Sequence, residues 1–145
     1  MKQIKKPVIF LLGPTAAGKT DWAINWQNKF QFLEIISVDS VMVYKECNIG
    51  SAKPSNEVLK RYPHRLINHV SVKNIFSVAN FFDAAHQLIK DIHLQDKIPL
   101  MVGGSMMYFN LLKNGISSLP AADKNLREKL RQKIVDDGVE SLYED

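Results

Sequence analysis

The chain has 145 residues, 46% of them apolar, a balance that excludes a disordered segment and favours one domain with a single hydrophobic core. It carries 19 Lys and Arg against 15 Asp and Glu, and the net charge of +4 is too small to indicate a nucleic-acid-binding protein by itself. The single cysteine, Cys47, excludes an internal disulfide, and the apolar run 8–12 is too short for a membrane span or a signal peptide. We therefore expect a cytoplasmic protein that does not partner with a membrane.

Three short apolar runs predict the β-strands of the chain. Each run is of the continuous type found in strands that are buried on both faces of a parallel sheet. The second run is followed directly by Asp39, and a glycine-containing turn follows each of the other two. The predicted strands are 8–12, 33–38 and 97–102.

Apolar residues at helical spacing predict three helices that alternate with these strands. Trp22 and Trp26 belong to the apolar positions of the first helix, so we expect both indole rings in the core. Ser77 precedes the second helix and is predicted to cap its amino terminus. Residues 41–75 contain prolines and scattered polar residues, which indicates loops and short helices. The predicted helices are 19–30, 77–93 and 106–113.

The alternation of strands and helices predicts an α/β fold, with a parallel sheet flanked by helices. Three strands make a thinner sheet than the usual number of about five or six. A Pro-containing stretch leads to a charged helix at 125–135, near the end of the chain. We therefore predict an incomplete α/β core at 1–117, followed at 118–145 by a linker and the start of a helical unit. We also expect the chain to be a fragment of a longer protein.

Residues 13–20 read Gly-Pro-Thr-Ala-Ala-Gly-Lys-Thr and predict a phosphate-binding loop between a strand and a helix. Gly13 and Gly18 let the backbone curl so that its N–H groups point at phosphate oxygens. Lys19 adds a positive charge, Thr20 offers a hydroxyl to Mg²⁺, and the helix amino terminus favours an anion. The pattern does not identify the phosphorylated ligand, and ATP is one choice among several. The predicted phosphate-binding residues are Gly13, Pro14, Thr15, Ala16, Ala17, Gly18, Lys19 and Thr20.

Asp39 stands at the end of the second predicted strand. Polar side chains at the carboxyl ends of parallel strands face the ligand crevice, so Asp39 is a candidate ligand of Mg²⁺ through water or a general base. The same position is also compatible with an aspartate that only caps the next turn. Gly103 and Gly104 predict a second tight turn, which either admits a ligand or simply bends the chain.

Further stretches accompany the phosphate loop, and together they resemble the amino-terminal half of the bacterial tRNA dimethylallyltransferases, also called tRNA isopentenyltransferases. The resemblance covers nearly the whole chain. Residues 49–54, Ile-Gly-Ser-Ala-Lys-Pro, are its most specific part, because ordinary phosphate-loop kinases lack them. The other matching stretches are 36–40 with 43–45, 63–67, 76–81, 99–105 and 119–123.

The resemblance implies a P-loop NTPase-like fold and transfer of a dimethylallyl group from its diphosphate to N6 of the adenosine 3′ of the anticodon. It implies that residues 15–20 hold the diphosphate, with Mg²⁺ on Thr20, and that Lys19 and Asp39 are catalytic, Asp39 accepting the proton from the amine. Residues 118–145 then begin a tRNA-binding insertion, and we expect a monomer. The implied tRNA contacts are Asp39, Ser40, Val41, Met42, Ser105 (usually Thr in the family) and Arg127.

The chain departs from the family pattern in places. Asn68 and Asn80 stand where Asp is usual, and Phe82 and Asp83 replace a pair of arginines. Family members are also about twice as long, so we expect little or no transfer activity from these 145 residues alone.

Two alternative functions remain open from the sequence. The first is a small-molecule kinase that uses ATP, in which an aspartate at the second strand activates a hydroxyl. Residues 49–54 and the lack of an obvious Arg-rich lid argue against it. The second is a non-catalytic, truncated module that binds phosphate or tRNA.

Overall fold

The predicted α/β architecture is confirmed by the computed structural model, which describes residues 6–115 and 123–143. Four parallel strands form one sheet in the order β1-β4-β2-β3. The strands are β1 (Ile9–Leu12), β2 (Leu33–Val38), β3 (His64–Arg65) and β4 (Ile98–Gly103). Strand β3 was not predicted, because its two residues are too few to produce an apolar pattern.

The helices lie where the sequence predicts them, to within about two residues at each end. The boundary predicted between 117 and 118 lies outside the described residues. Within the described residues, no helix combines the length and the apolar character needed to cross a membrane. The helices are α1 (Lys19–Lys29), α2 (Asn56–Arg61), α3 (Val78–Leu94), α4 (Met106–Asn114) and α5 (Lys124–Asp137), followed by a 3-10 helix (Val139–Leu142).

Ser77 caps α3, as predicted. Its hydroxyl accepts a hydrogen bond from Asn80 N (3.2 Å), and Asn80 Oδ1 accepts one from Ser77 N (2.9 Å). This reciprocal pair satisfies two donors that the first turn of a helix otherwise leaves free. The side-chain oxygen of Asn80 therefore completes the cap.

The two faces of the sheet carry separate apolar clusters. On one face Leu33, Ile35 and Leu100 pack against Ala23 of α1, and all four side chains are buried. The cluster on the other face lies against α3 and α4. Because β2 and β4 are covered on both sides, they form the rigid centre of the fold. The fully buried members of the second cluster include Ile36, Val38, Phe81, Ala85 and Met101.

Two expectations about burial were wrong. Strand β1 is not buried on both faces, because it lies at the edge of the sheet, where Phe10 and Leu12 are 37% and 44% exposed. Trp22 is 58% exposed, whereas Trp26 packs against the cluster under α1. The reason is that the small Ala23 faces the sheet, which turns Trp22 towards the outer side of the helix.

Gly103 allows the carboxyl ends of β2 and β4 to approach each other closely. A Cβ atom added there would lie 2.0 Å from the Val38 carbonyl oxygen and 2.6 Å from the Val38 carbonyl carbon. These are backbone atoms that cannot move aside without bending β2. Neither explanation offered for this turn includes this contact: the glycine at position 103 is required by the close approach of the Val38 backbone.

We predict that Gly103→Ala lowers the free energy of unfolding by about 3 kcal/mol, the upper end of the usual overpacking cost. Urea unfolding followed by tryptophan fluorescence measures the change. Gly104→Ala is the matched control, since its added Cβ would meet Gly13 O at 3.4 Å and should change stability by less than about 1 kcal/mol. Equal stability of Gly103→Ala and the unchanged protein would contradict the close strand contact.

Candidate active site

A cavity of about 530 Å³ opens at the carboxyl ends of the parallel strands. Ligand sites in parallel α/β sheets lie at this edge, because the loops that follow the strands meet there. Three walls enclose it: the phosphate loop, the ends of β2 and β4 with the turns that follow them, and the segment 50–54 together with His64 of β3 and Ile67. Of the predicted site residues, those at 15–20, Asp39, Val41 and Met42 are thus brought together.

The phosphate loop has left-handed backbone at Ala16 (φ 63°) and Gly18 (φ 72°). Gly13 has no positive φ, and a Cβ added to it would make only an ordinary contact of 3.8 Å with Lys19 Cδ. The conformational need for glycine therefore falls on Gly18, and the predicted role of Gly13 in curling the loop is not seen. Residues 15–20 line the cavity, whereas Gly13 and Pro14 are not among its lining residues.

Lys19 and Thr20 form the start of α1, and both line the cavity. Lys19 Nζ donates a hydrogen bond to Pro14 O (2.5 Å), which holds the ammonium group against the loop. The free N–H groups of the first turn of α1 and the helix dipole make this end of the helix attractive to an anion. The loop, the helix and the ammonium group thus provide a site for phosphate oxygens.

Asp39 lines the cavity and also caps the turn that follows β2, so the predicted capping role is confirmed. Its Oδ1 accepts hydrogen bonds from Val41 N (2.8 Å) and Met42 N (3.0 Å). In the part of the chain that the structure describes, Oδ2 has no hydrogen-bond partner. The turn therefore fixes the carboxylate through one oxygen and leaves the other able to accept a proton. Val41 and Met42 line the cavity beside it.

Ser105 and Arg127 were both predicted to contact RNA, and they lie in different surroundings. Ser105 Oγ accepts a hydrogen bond from Ser40 N (3.3 Å), so the turn after β4 is tied to the residue next to Asp39. Arg127 lies exposed on α5 and does not line the cavity.

Tyr108 lies beneath this corner of the site. It is buried and stacked on the ring of Phe81, with 4.0 Å between the ring centres. Burial raises the pKa of the Tyr108 phenol, and the charges of Tyr44 and Asp39 act in the same direction. Tyr108 therefore stays neutral at physiological pH and supports the site by packing.

His64 is a site residue that the sequence did not reveal. It belongs to the two-residue strand β3, lines the cavity, and donates from Nδ1 to Tyr62 O (2.7 Å). Its Nε2 is buried without a partner in the described residues. Burial lowers the pKa of His64, although the bond to Tyr62 opposes the shift. The imidazole is therefore neutral, with Nε2 as a hydrogen-bond acceptor.

We predict that His64 makes the folded chain less stable in mild acid. Its folded pKa lies below the ordinary value of 6.5, so its contribution is intact above that pH and is lost as the pH falls towards the folded pKa. His64→Asn keeps a donor for Tyr62 O and cannot titrate. Unfolding by urea at a series of pH values from about 7.5 to about 5.5 should show a shallower loss of stability for this variant.

His86→Asn is the matched control, because His86 Nδ1 also bonds a backbone carbonyl, Phe82 O (3.0 Å), on α3 away from the cavity. It should keep the pH dependence of the unchanged protein. The same slope in His64→Asn and the unchanged protein would contradict the role given to His64.

Comparison with known proteins adds independent findings. A family model described as IPP transferase matches residues 42–145. A tRNA dimethylallyltransferase of Vesicomyosocius okutanii is 43% identical over 143 residues, which are 99% of this chain and 47% of the relative. One from Acinetobacter baumannii is 44% identical, over 96% of this chain and 44% of the relative. The chain thus spans about half the length of the curated relatives it matches.

Solved structures give the same picture. A tRNA isopentenylpyrophosphate transferase from Bacillus halodurans superposes with a TM-score of 0.74 at 34% identity, covering 97% of this chain and 46% of the other. A eukaryotic dimethylallyltransferase, described as acting on tRNA, superposes with a TM-score of 0.73 at 29% identity, covering 91% of this chain and 36% of the other.

Proposed function

Since the chain belongs to the IPP transferase family, we propose that it forms the phosphate-binding part of an enzyme that transfers a dimethylallyl group to tRNA. The family resemblance and the P-loop NTPase-like fold that it implies are confirmed. The donor in this proposal is dimethylallyl diphosphate, and the acceptor is N6 of the adenosine 3′ of the anticodon. We also propose that the enzyme works in the cytoplasm as a monomer.

One observation supports this proposal most strongly: a phosphate loop and a positioned carboxylate line the same cavity. Lys19 and the loop N–H groups are suited to a diphosphate. Asp39 is held by two backbone N–H groups on another wall of that cavity. A leaving diphosphate and an acceptor amine therefore each have a group of the matching chemistry.

In the proposed reaction, adenine N6 forms a bond to the allylic carbon of the donor while the bond from that carbon to the diphosphate oxygen breaks. The diphosphate leaves with the bonding electrons, and Lys19 with the loop N–H groups stabilises the charge that develops on its oxygens. The proton lost from N6 passes to Asp39, whose Oδ2 is free to accept it. The base must be presented unstacked, because a stacked adenine cannot reach this cavity.

Mg²⁺ fits the residues that the cavity provides. Among the described residues, no group of three or more His, Cys, Asp or Glu could hold a metal alone. Mg²⁺ commonly binds with one or two protein oxygens and the phosphates of a ligand, and Thr20, whose hydroxyl can supply one such oxygen, lines the cavity. We propose that Thr20 would hold the ion, which would neutralise charge on the diphosphate.

For tRNA, we propose that the turn after Asp39 and the Ser105 hydroxyl contact the adenine and its neighbours. Ser40 and Ser105 are already joined by a hydrogen bond, and Val41 lies exposed at the cavity, 45% accessible. Arg127 would contact the RNA backbone from α5, outside the cavity, as a simple cationic partner for phosphate.

The proposal is tested by transfer of labelled dimethylallyl from its diphosphate to tRNA. The proteins compared are this chain and a chimaera in which the unmatched part of the Vesicomyosocius relative follows it. We expect transfer from the chimaera and little or none from the 145 residues alone. Phosphorylation of a small molecule by ATP, without dimethylallyl transfer, would show that the kinase alternative is correct. Phosphate or tRNA binding by the chimaera, without either reaction, would favour the non-catalytic module.

Two substitutions in the chimaera separate the roles of the cavity walls. We predict that Asp39→Asn lowers kcat about 100-fold or more, the usual contribution of a general base, and leaves pyrophosphate affinity unchanged. Lys19→Met should weaken pyrophosphate binding, measured by calorimetry, as well as transfer. A near-normal kcat for Asp39→Asn would show that the proton goes elsewhere.

A further inference from the structure

The ammonium group of Lys53 binds three oxygens from three separate places in the chain. Lys53 Nζ donates to Tyr44 O (2.7 Å), Asn68 Oδ1 (2.9 Å) and Asn48 Oδ1 (3.1 Å). An ammonium group has three donors, so each has an oxygen to accept its hydrogen bond. The residue stands in the specific segment 49–54, which the proposed mechanism does not otherwise use.

Lys53 is a cation near the cavity, but it does not act as a phosphate ligand here. Gly50, Ser51, Ala52 and Pro54 line the cavity, whereas Lys53 between them does not. Its side chain turns away from the cavity and into the protein, where all three of its acceptors belong to the chain. This arrangement contrasts with that of Lys19, which lines the cavity directly.

Two of the three oxygens that Lys53 joins belong to two paired segments, 42–45 and 68–70, next to the sheet. His69 N donates to Val43 O (2.8 Å) and Lys45 N donates to Val70 O (2.8 Å), so these segments run side by side like short parallel strands. Lys53 binds one acceptor on each of them, Tyr44 O and Asn68 Oδ1. Lys53 therefore links segment 42–45 to segment 68–70.

This pair of segments supports Asp39 directly. Asn68 N donates to Met42 O (3.1 Å), and Met42 N donates to Asp39 Oδ1 (3.0 Å). A continuous series of hydrogen bonds thus runs from Lys53 through Asn68 and Met42 to the carboxylate. The series ends on Asp39 Oδ1, which the turn holds, and not on Oδ2.

Lys53 also helps to hold the residues just before it, at the start of segment 49–54, in a strained backbone conformation. Gly50 (φ 72°) and Ala52 (φ 54°) both have left-handed backbone, which a non-glycine residue adopts only when its surroundings enforce it. Ser51 Oγ donates to Cys47 O (2.7 Å) and closes the turn. Because its side chain is bound to Tyr44, Asn48 and Asn68, Lys53 fixes the position of the cavity wall that segment 50–54 forms.

We propose that Lys53 is a positioning residue for the acceptor side of the cavity, acting through Asn68 and Met42 on Asp39. It does not contribute to diphosphate binding, which belongs to the phosphate loop. The proposal rests on the proposed function for the identity of the acceptor, but the hydrogen-bond series is independent of it. Removing Lys53 should therefore affect one half of the site and leave the other unchanged.

The first test uses the 145-residue chain and needs no transfer activity. Lys53→Met removes all three bonds and keeps an unbranched side chain that is one atom shorter. We expect backbone hydrogen exchange in 41–45 and 68–70 to become about tenfold faster, while exchange in 13–20 and the calorimetric affinity for inorganic pyrophosphate stay the same. Lys60→Met, at an exposed position on α2, is the control and should change neither.

The second test uses the chimaera and separates acceptor from donor. In Lys53→Met we expect KM for tRNA to rise and kcat to fall by about tenfold each, while KM for dimethylallyl diphosphate is unchanged. If the unchanged chimaera transfers nothing, the proposed function fails, and the exchange experiment still decides the role of Lys53. Loss of pyrophosphate affinity in Lys53→Met, or unchanged exchange in 41–45, would overturn this role.

Asn48→Ala gives a milder variant in case Lys53→Met does not fold; alanine is avoided at Asn68, whose left-handed backbone (φ 54°) would be strained by it. Asn48→Ala removes one of the three bonds and should show the same pattern with a smaller effect. Asn68→Asp places a carboxylate at the 2.9 Å contact and should slow exchange in 41–45, because the bond then joins two opposite charges. Faster exchange in Asn68→Asp would contradict a direct bond between these two side chains.

Discussion

The close approach of β2 and β4 at Gly103 is the constraint on which the site depends. No side chain separates the two strand ends there, since even a Cβ atom would collide with the Val38 carbonyl. The residues that follow each strand therefore emerge side by side, which lets Ser105 bind Ser40 and places Asp39 next to the turn after β4. The next residue, Gly104, lies close to Gly13 O, so the turn after β4 also has the phosphate loop beside it.

Much of the fold was predictable because its central part is built from local signals. β2 and β4 are mostly apolar, and Ser77 and its neighbours have the sequence of a helix cap at the start of α3. The phosphate loop and Asp39 follow strands that the pattern identifies, so these two parts of the site could be predicted. The exposure of β1 could not be predicted, because its sequence pattern does not show how many strands lie beside it.

The third wall of the cavity shows the limit of local patterns. Strand β3 has two residues, and the segment 50–54 is held by hydrogen bonds to positions that are distant in sequence, such as Lys53 to Asn68. No periodicity encodes such contacts, and only the family resemblance marked these residues as special. The same applies to His64, whose unpartnered Nε2 is a property of its surroundings and not of its residue type.

The position of β1 at the edge of the sheet has a consequence for ligand binding. Among the described residues, β1 pairs with β4 alone, so the strand that leads into the phosphate loop is supported from one side. Strands with fewer partners open more readily than central ones. A ligand that contacts the loop favours the state in which β1 is paired, so the affinity measured for a diphosphate includes the free energy of any opening of this strand. Whatever covers the exposed side of Phe10 and Leu12 would raise the affinity without contacting the ligand.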